Sequence, residues 1–356
     1  MKKFLVTLLV NFAVLSSLIV AMELIGQLYF FARNGKFVFQ KAPGYYGDLF
    51  EIHPYLAGRL RKNAILENYG KRITTSDIHT RTAGCDLSSG RIVRIAALGG
   101  STTFGTGVTD EDTWPYLLQS LLGNNYCVVN FGVPGYSTAE SIVQMALIVP
   151  EFKPHFVIVC HGWNDIRNYH EEELGADYYG HGIRQFANLS IAANCTDPMK
   201  KLQDVSGLFH YLTKIRTFAS SFTTESPSKT LAYPDPFVDR IYLRNLKTIK
   251  LLSENLSAHT ILVPQVLNWQ NFADPVGWSR HIDHRSMQEL VNRFNGLMQS
   301  VCSDEEKSCV FVDISRNIKW TNDDFVDNGH FSRTGGQKLA EILAGEIMMI
   351  SGRPNP

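Results

Sequence analysis

Neither sign of charge predominates in this chain of 356 residues: 34 Lys and Arg stand against 34 Asp and Glu, with an isoelectric point near 7.2. That balance removes the electrostatic ground for a nucleic-acid partner or an anionic surface. No internal repeat, low-complexity tract or C-x-x-C pair occurs, which argues against solenoids, disordered tails, zinc ribbons and thioredoxin-type sites. Two phosphate-binding patterns are incomplete. Gly100 and Gly105 have the spacing of a phosphate loop, but Thr106 stands where the lysine belongs, and G-x-G-x-x-G is missing. What remains is a chain with 44% hydrophobic residues, enough for one large domain or two small ones.

The front of the chain is different in kind. From Phe4 to Met22 nineteen consecutive residues carry no charge, close to the ~20 that cross a bilayer. Lys2 and Lys3 precede the run and favour a cytoplasmic N-terminus, although Arg33, Lys36 and Lys41 follow it. A buried core helix would show a polar face over five turns. A cleaved signal peptide is the closer rival, but the run is long and lacks a small-x-small site before Glu23. The expectation is an uncleaved signal-anchor over residues 1–32, a juxtamembrane segment over 33–90, and a single-pass protein whose main domain is exported. The six cysteines fit that compartment. Cys302 and Cys309 bracket a polar loop that a disulfide would close, and Cys85 and Cys195 lie in polar segments. Cys127 and Cys160 sit inside apolar runs and read as buried thiols.

Beyond Arg91 five short β-branched runs follow one another: RIVRIAAL, YCVVNF, HFVIVC, HTILVP and CVFVDI. Each has the length of a strand buried on both faces. Helical patterns separate them. Trp114, Leu117, Leu118 and Leu121 repeat at helical spacing, STAE at 137–140 is a capping box, Tyr242, Leu246 and Ile249 share one face, and Leu339, Ile342, Leu343 and Ile347 mark a last helix. Alternation of this kind predicts a parallel sheet covered on both faces, with chemistry at the carboxyl ends of its strands.

Four motifs stand at such ends. Gly99 and Gly100 turn the chain so that Ser101 begins a helix, where free amides can meet an oxyanion; Ser after Gly-Gly is also ordinary turn chemistry. NFGVPG places Gly132 and Gly135 after the second run, equally compatible with a plain turn. GWND follows the third, where the Asn164 amide can donate to developing negative charge and Asp165 can cap its helix. Near the end, Asp327 and His330 are three residues apart, so the carboxylate can hold one ring nitrogen while the other faces a nucleophile.

Taken in order, GGST, NFGVPG, GWND and DNGH resemble the four blocks of the SGNH hydrolases, the GDSL-like lipase/esterase superfamily, over residues 94–347. Gly100 departs from the familiar motif, which has Asp there. The resemblance implies a flavodoxin-like three-layer α/β/α fold with a five-stranded parallel sheet over residues 91–352, preceded by the transmembrane helix and carrying an insertion at about 166–235. It implies two-step acyl transfer without metal or cofactor: Ser101 as nucleophile, His330 as general base and then acid, Asp327 orienting His330, and an oxyanion hole from the amides of Ser101 and Gly135 and the Asn164 side chain.

The insertion is rich in Tyr and His, including Tyr169, His170, Tyr178, Tyr179 and His181, which suits either a cap that stacks on sugar rings or an irregular excursion. His281, Asp283 and His284 fall within four residues and read as solvated loop residues rather than a metal site. The sequons at Asn188, Asn194 and Asn255 matter only in a eukaryotic secretory pathway. The leading expectation is a membrane-anchored serine esterase removing short acyl groups, acetyl first, from a small-molecule or cell-envelope glycan ester, with no nucleic-acid partner. An O-acyltransferase with the same triad and a non-catalytic glycan-binding protein are the alternatives.

Overall fold

The computed structural model describes residues 2–35, 37–40, 49–51, 53–56, 58–68, 70–85, 92–166, 175–179, 202–203, 205–223, 236–272, 284–302 and 308–352. These group into two compact units, Met1–Phe50 with Leu189–Ser228, and Glu51–Asn188 with Lys229–Pro356. The helices include α1 (Lys2–Asn34), α2 (Ser101–Phe104), α3 (Trp114–Leu122), α4 (Thr138–Leu147), α5 (Trp163–Ile166), α6 (Gly207–Thr223), α7 (Pro236–Asn255), α8 (His284–Gln299) and α9 (Arg333–Ser351); a further short helix, Val149–Phe152, follows α4.

In the larger unit the five apolar runs form strands β1 (Val93–Gly99), β2 (Tyr126–Asn130), β3 (Phe156–Cys160), β4 (His259–Val263) and β5 (Cys309–Phe311). All pairings are parallel and the order is β2-β1-β3-β4-β5. That is the flavodoxin-like order, whose switch point lies between β1 and β3. The runs look continuously apolar because both faces are covered. Ile95, Ala97, Val128, Ile158 and Ile261 pack with Trp114, Leu118, Leu339 and Leu343 of α3 and α9. Ala96, Leu98, Val129, Val157 and Leu262 pack with Met145, Tyr242, Leu246 and Phe294 of α4, α7 and α8. Burying each such aliphatic side chain contributes ~1.5–3 kcal/mol. Register then fixes where the chemistry falls: Gly99 lies opposite Cys160, so the segments leaving β1 and β3 start level with each other.

Residues ahead of the sheet belong to the same unit. Ile65–Asn68 pairs antiparallel with Lys71–Thr74, and the Arg81 amide donates to the Asn130 carbonyl at the end of β2. Cys85 is disulfide-bonded to Cys127, which corrects the expectation of a buried thiol at Cys127. The apolar run around Cys127 is there because β2 is buried, and burial of a strand says nothing of a partner 42 residues away. Cys302 and Cys309 are joined as their spacing suggests, and Cys160 is a buried free thiol whose pKa burial pushes up to about 12. Tyr178 is also corrected. It is 1% exposed with φ +59, so it cannot stack on a ligand, whereas Tyr179 is exposed. Tyr169, His170, His181, Asn188, Asn194, Cys195, His281 and Asp283 lie outside the described residues.

In the smaller unit α1 carries the apolar run on a helix of 33 residues. It is long and apolar enough to cross a membrane by length and composition, with a mean hydropathy of 2.4 over its best window.

Candidate active site

Ser101 is the first residue of α2, with Gly100 as the N-cap residue. A four-residue helix cannot satisfy its own carbonyls, and here they are buried. Two side chains from elsewhere do so. Asn130 Nδ2 donates to the Thr103 carbonyl at 2.9 Å, and its Oδ1 accepts from the Gly132 amide at 2.9 Å. Arg81 Nη1 donates to the carbonyls of Phe104 (2.7 Å) and Gly105 (2.6 Å), and Nη2 to that of Val108 (2.8 Å). The Arg81 side chain is fully buried and pairs through Nε with Asp110 Oδ1 at 2.8 Å. Asp110 Oδ2 in turn accepts from the amide and hydroxyl of Thr74. Sequence reading missed Arg81 and Asp110. An Arg in TSDIHTRTAG looks like any surface residue, and only the fold brings it under the serine.

At the other end of the chain, Asp327 and His330 sit on a self-contained turn just before α9. Asp327 Oδ1 accepts from the amides of Gly329 (3.0 Å) and His330 (2.9 Å), while Oδ2 meets His330 Nδ1 at 2.7 Å. The Val326 amide donates to the His330 carbonyl at 2.9 Å, and Phe325 and Phe331 stack beneath. His330 Nε2 lies 2.7 Å from Ser101 Oγ, closing a chain of hydrogen bonds from residue 327 to residue 101. Partial burial raises the Asp327 pKa, but the hydrogen bond and charge of His330 and the two amides outweigh it and bring it down to about 2. Asp327 is therefore ionised at neutral pH.

Asn164 falls in α5, level with the serine. Its Nδ2 donates to the Tyr136 carbonyl at 2.8 Å, which uses one of two amide hydrogens. Gly135 precedes Tyr136 and turns with φ +88. These three motifs meet at Gly100: a Cβ there would stand 2.6 Å from Asn164 Nδ2 and 3.0 Å from the Tyr136 carbonyl. At Gly100, where the familiar motif has Asp, Asn164 and the turn before Ser101 therefore approach too closely for a side chain to fit without a shift.

Asp165 does not cap its own helix, contrary to the sequence expectation. It lies within α5 and accepts from the amide (3.2 Å) and hydroxyl (2.5 Å) of Thr138, capping α4 instead. It therefore links the turn bearing Asn164 to the turn bearing Gly135. Beside it, His161 Nε2 and Ser141 Oγ are 2.7 Å apart, giving a second Ser-His-Asp set. All three residues are at most 3% exposed, so this set is structural. Burial lowers the His161 pKa to about 3 and raises that of Asp165 to about 7, the latter opposed by Thr138. At neutral pH His161 is uncharged, and its 4.0 Å approach to Asp165 is not an ion pair between full charges.

The unfolded chain protonates a histidine below ~6.5, whereas native His161 stays neutral down to about 3, so this group costs stability as pH falls through that window. Asp165 acts oppositely, because native Asp165 keeps a proton between about 4 and 7 that the unfolded chain releases. Replacing His161 with Gln leaves the Asp165 trend alone. Melting temperatures of wild type and His161→Gln, followed by circular dichroism from pH 7 to 4, are expected to differ by several degrees in slope. Parallel curves would show that His161 titrates as in the unfolded chain.

A family model for the GDSL-like lipase/acylhydrolases matches residues 97–338, and the chain belongs to that family, the SGNH hydrolases, whose members are ester-hydrolysing enzymes. Among solved structures, the chain is similar to a lipase/acylhydrolase from Enterococcus faecalis (15% identity, 74% of this chain and 99% of that one, TM-score 0.41). It is also similar to a catalytic mutant of an acetylxylan esterase from Geobacillus stearothermophilus (15% identity, 73% and 96%, TM-score 0.41). No curated protein sequence matches the chain.

Proposed function

We propose that this enzyme is a membrane-anchored serine esterase that removes short acyl groups, acetyl foremost, by an acyl-enzyme mechanism. One observation carries the reading: Ser101 Oγ, His330 and Asp327 are joined by two hydrogen bonds of 2.7 Å each. In this mechanism Ser101 attacks the ester carbonyl as His330 Nε2 takes its proton. His330 then returns the proton to the departing alcohol, and a water activated by the same nitrogen releases the acid. Asp327 holds Nδ1–H toward itself throughout. The amides of Ser101 and Gly135 and the second hydrogen of Asn164 Nδ2 receive the oxyanion. The anchor is the apolar run on α1, and the exported placement of the catalytic unit rests on its two disulfides. A cell-envelope glycan bearing acyl esters is the substrate class that this location favours.

The test uses full-length protein in detergent with p-nitrophenyl acetate, butyrate and octanoate. The expected result is turnover that falls with acyl length and vanishes in Ser101→Ala. Octanoate as the best substrate would refute the short-acyl part, and equal rates for folded wild type and Ser101→Ala would refute the whole. Asn164→Ala is expected to raise the barrier by ~2.7–4 kcal/mol, a loss of ~10²–10³ in kcat with little change in KM. Steady-state kinetics on the acetate ester check this, and an unchanged kcat would remove Asn164 from the oxyanion hole.

A further inference from the structure

The smaller unit contains a feature that ester chemistry does not require. Glu23 is the first acidic residue of the chain and ends the nineteen-residue uncharged run. Its carboxylate is committed to α6: Oε1 accepts from the Gly207 amide at 2.8 Å, and Oε2 from the Leu208 amide at 3.0 Å and from the Ser206 hydroxyl. An acid at the start of a helix satisfies orphan amides and complements the helix dipole. Gln27, one turn on, donates to the Val205 carbonyl at 2.9 Å and accepts from the Val38 amide at 2.9 Å. Between them Gly26 meets Gly207 so closely that a Cβ on either would lie 2.6 Å from the other's backbone. Such crossings of small residues let two helices touch at the backbone. Tyr29 against Tyr211 and Phe30 against His210, each with ring centroids 5.2 Å apart, extend the contact.

The depth of this seat follows from length. Residues 4–22 span about 28 Å at 1.5 Å per residue, near the ~30 Å hydrocarbon core. Residues 23–30 of α1 therefore emerge at headgroup level, and α6 is fastened there. Val205, Leu208, Leu212 and Ile215 recur at helical spacing along one stripe. Val205, Leu212 and Ile215 are 53%, 50% and 62% exposed, too much apolar surface for a helix that faces only water. Tyr211 and Arg216 flank the stripe, and Lys214 lies over the Tyr211 ring. Aromatic and cationic flanks around an apolar stripe are the composition of a helix lying in a membrane interface. Leu24, Ile25 and Leu28 of α1 are exposed as well, and in sequence they continue the apolar surface of the proposed span.

We propose that α6 is a second membrane-contacting element, an interfacial helix that Glu23 clamps to the anchor and that lays Leu212 and Ile215 into the acyl-headgroup boundary. The inference rests on the membrane reading of α1, and the experiment separates the two. Full-length protein is spin-labelled at single introduced cysteines, Leu212→Cys, Ile215→Cys, Val14→Cys in the run and Glu151→Cys in the catalytic unit. It is then reconstituted in vesicles of phosphatidylcholine with a minority of phosphatidylglycerol. Collision with oxygen, which concentrates in lipid, is compared with collision with a water-soluble nickel chelate.

The expected result is that labels at 212 and 215 favour oxygen several-fold relative to the label at 151, approaching the ratio at 14. Labels at 212 and 215 that behave like 151 while 14 lies in lipid would overturn the interfacial helix and leave the anchor standing. A water-exposed label at 14 would overturn the anchor and this inference with it. Glu23→Gln provides a second arm: weakening the clamp should move the 212 label toward water without changing the one at 14. An unmoved 212 label would show that α6 sits in the interface without the clamp, against the proposal.

Discussion

Replacing Ser101 with alanine is expected to abolish ester turnover, lowering kcat by on the order of 10⁴–10⁶ while leaving the fold intact. The magnitude follows from the role proposed for the side chain. Without Oγ no acyl-enzyme forms, and the site is left with its oxyanion donors and direct attack by water. The fold should survive because the one hydrogen bond of Ser101 Oγ among the described residues is to His330, while α2 is held through its carbonyls by Asn130 and Arg81. The Asp327–His330 turn is likewise closed by its own amides. Burst kinetics with p-nitrophenyl acetate give a direct check: wild type should release one equivalent of nitrophenol ahead of steady state, and Ser101→Ala none. A burst in the variant, or a loss below tenfold, would place the nucleophile elsewhere.

Arg81→Met is expected to cost at least ~3–5 kcal/mol of stability, because it strands the Asp110 carboxylate inside the protein without its partner. Three carbonyls lose their donors as well, each at ~1–3 kcal/mol where nothing replaces the bond. A melting temperature lower by on the order of 10 °C follows for a unit of this size. Arg81→Lys should fall between, since an ammonium restores charge but cannot reach Asp110 and the carbonyls of Phe104, Gly105 and Val108 together. Arg81→Met with Asp110→Asn should recover part of the loss by removing the stranded charge. Thermal unfolding of the four proteins decides the matter. An Arg81→Met variant that melts with wild type would mean the guanidinium is replaceable by water and that the turn under Ser101 stands without it.

How far the sequence reveals this enzyme depends on the range of the interactions involved. The sheet is legible because each strand is buried on both faces and therefore apolar throughout, as in FVIVC of β3. The Asp327–His330 pair is legible because three residues on one turn suffice to make it. Capping at Ser137 is legible for the same reason, and the Glu140 carboxylate accepts from the Ser137 amide at 2.7 Å as the box requires. What escapes is chemistry between distant segments. Asp165 reads as the cap of the helix it begins, but its carboxylate reaches 27 residues back to Thr138. Cys85 finds Cys127 across 42 residues. Glu23 reads as the end of an apolar run, and nothing local tells of Ser206 to Leu208. In each case the residue type suits several partners, and only the completed fold selects one.

The Asp327–His330 turn has a consequence for how this enzyme can change over generations. Because the turn carries its own amide clamps and docks on the helix that follows it, substitutions elsewhere leave the pair's internal geometry alone. They alter only its distance to the serine, which comes from a segment more than 200 residues earlier. Inherited variation in activity should therefore arise mainly from the segments that carry Ser101 and set that distance, including the stretch before the sheet that supplies Arg81. A lineage can drift widely in its other segments while the Asp327–His330 turn passes on unchanged.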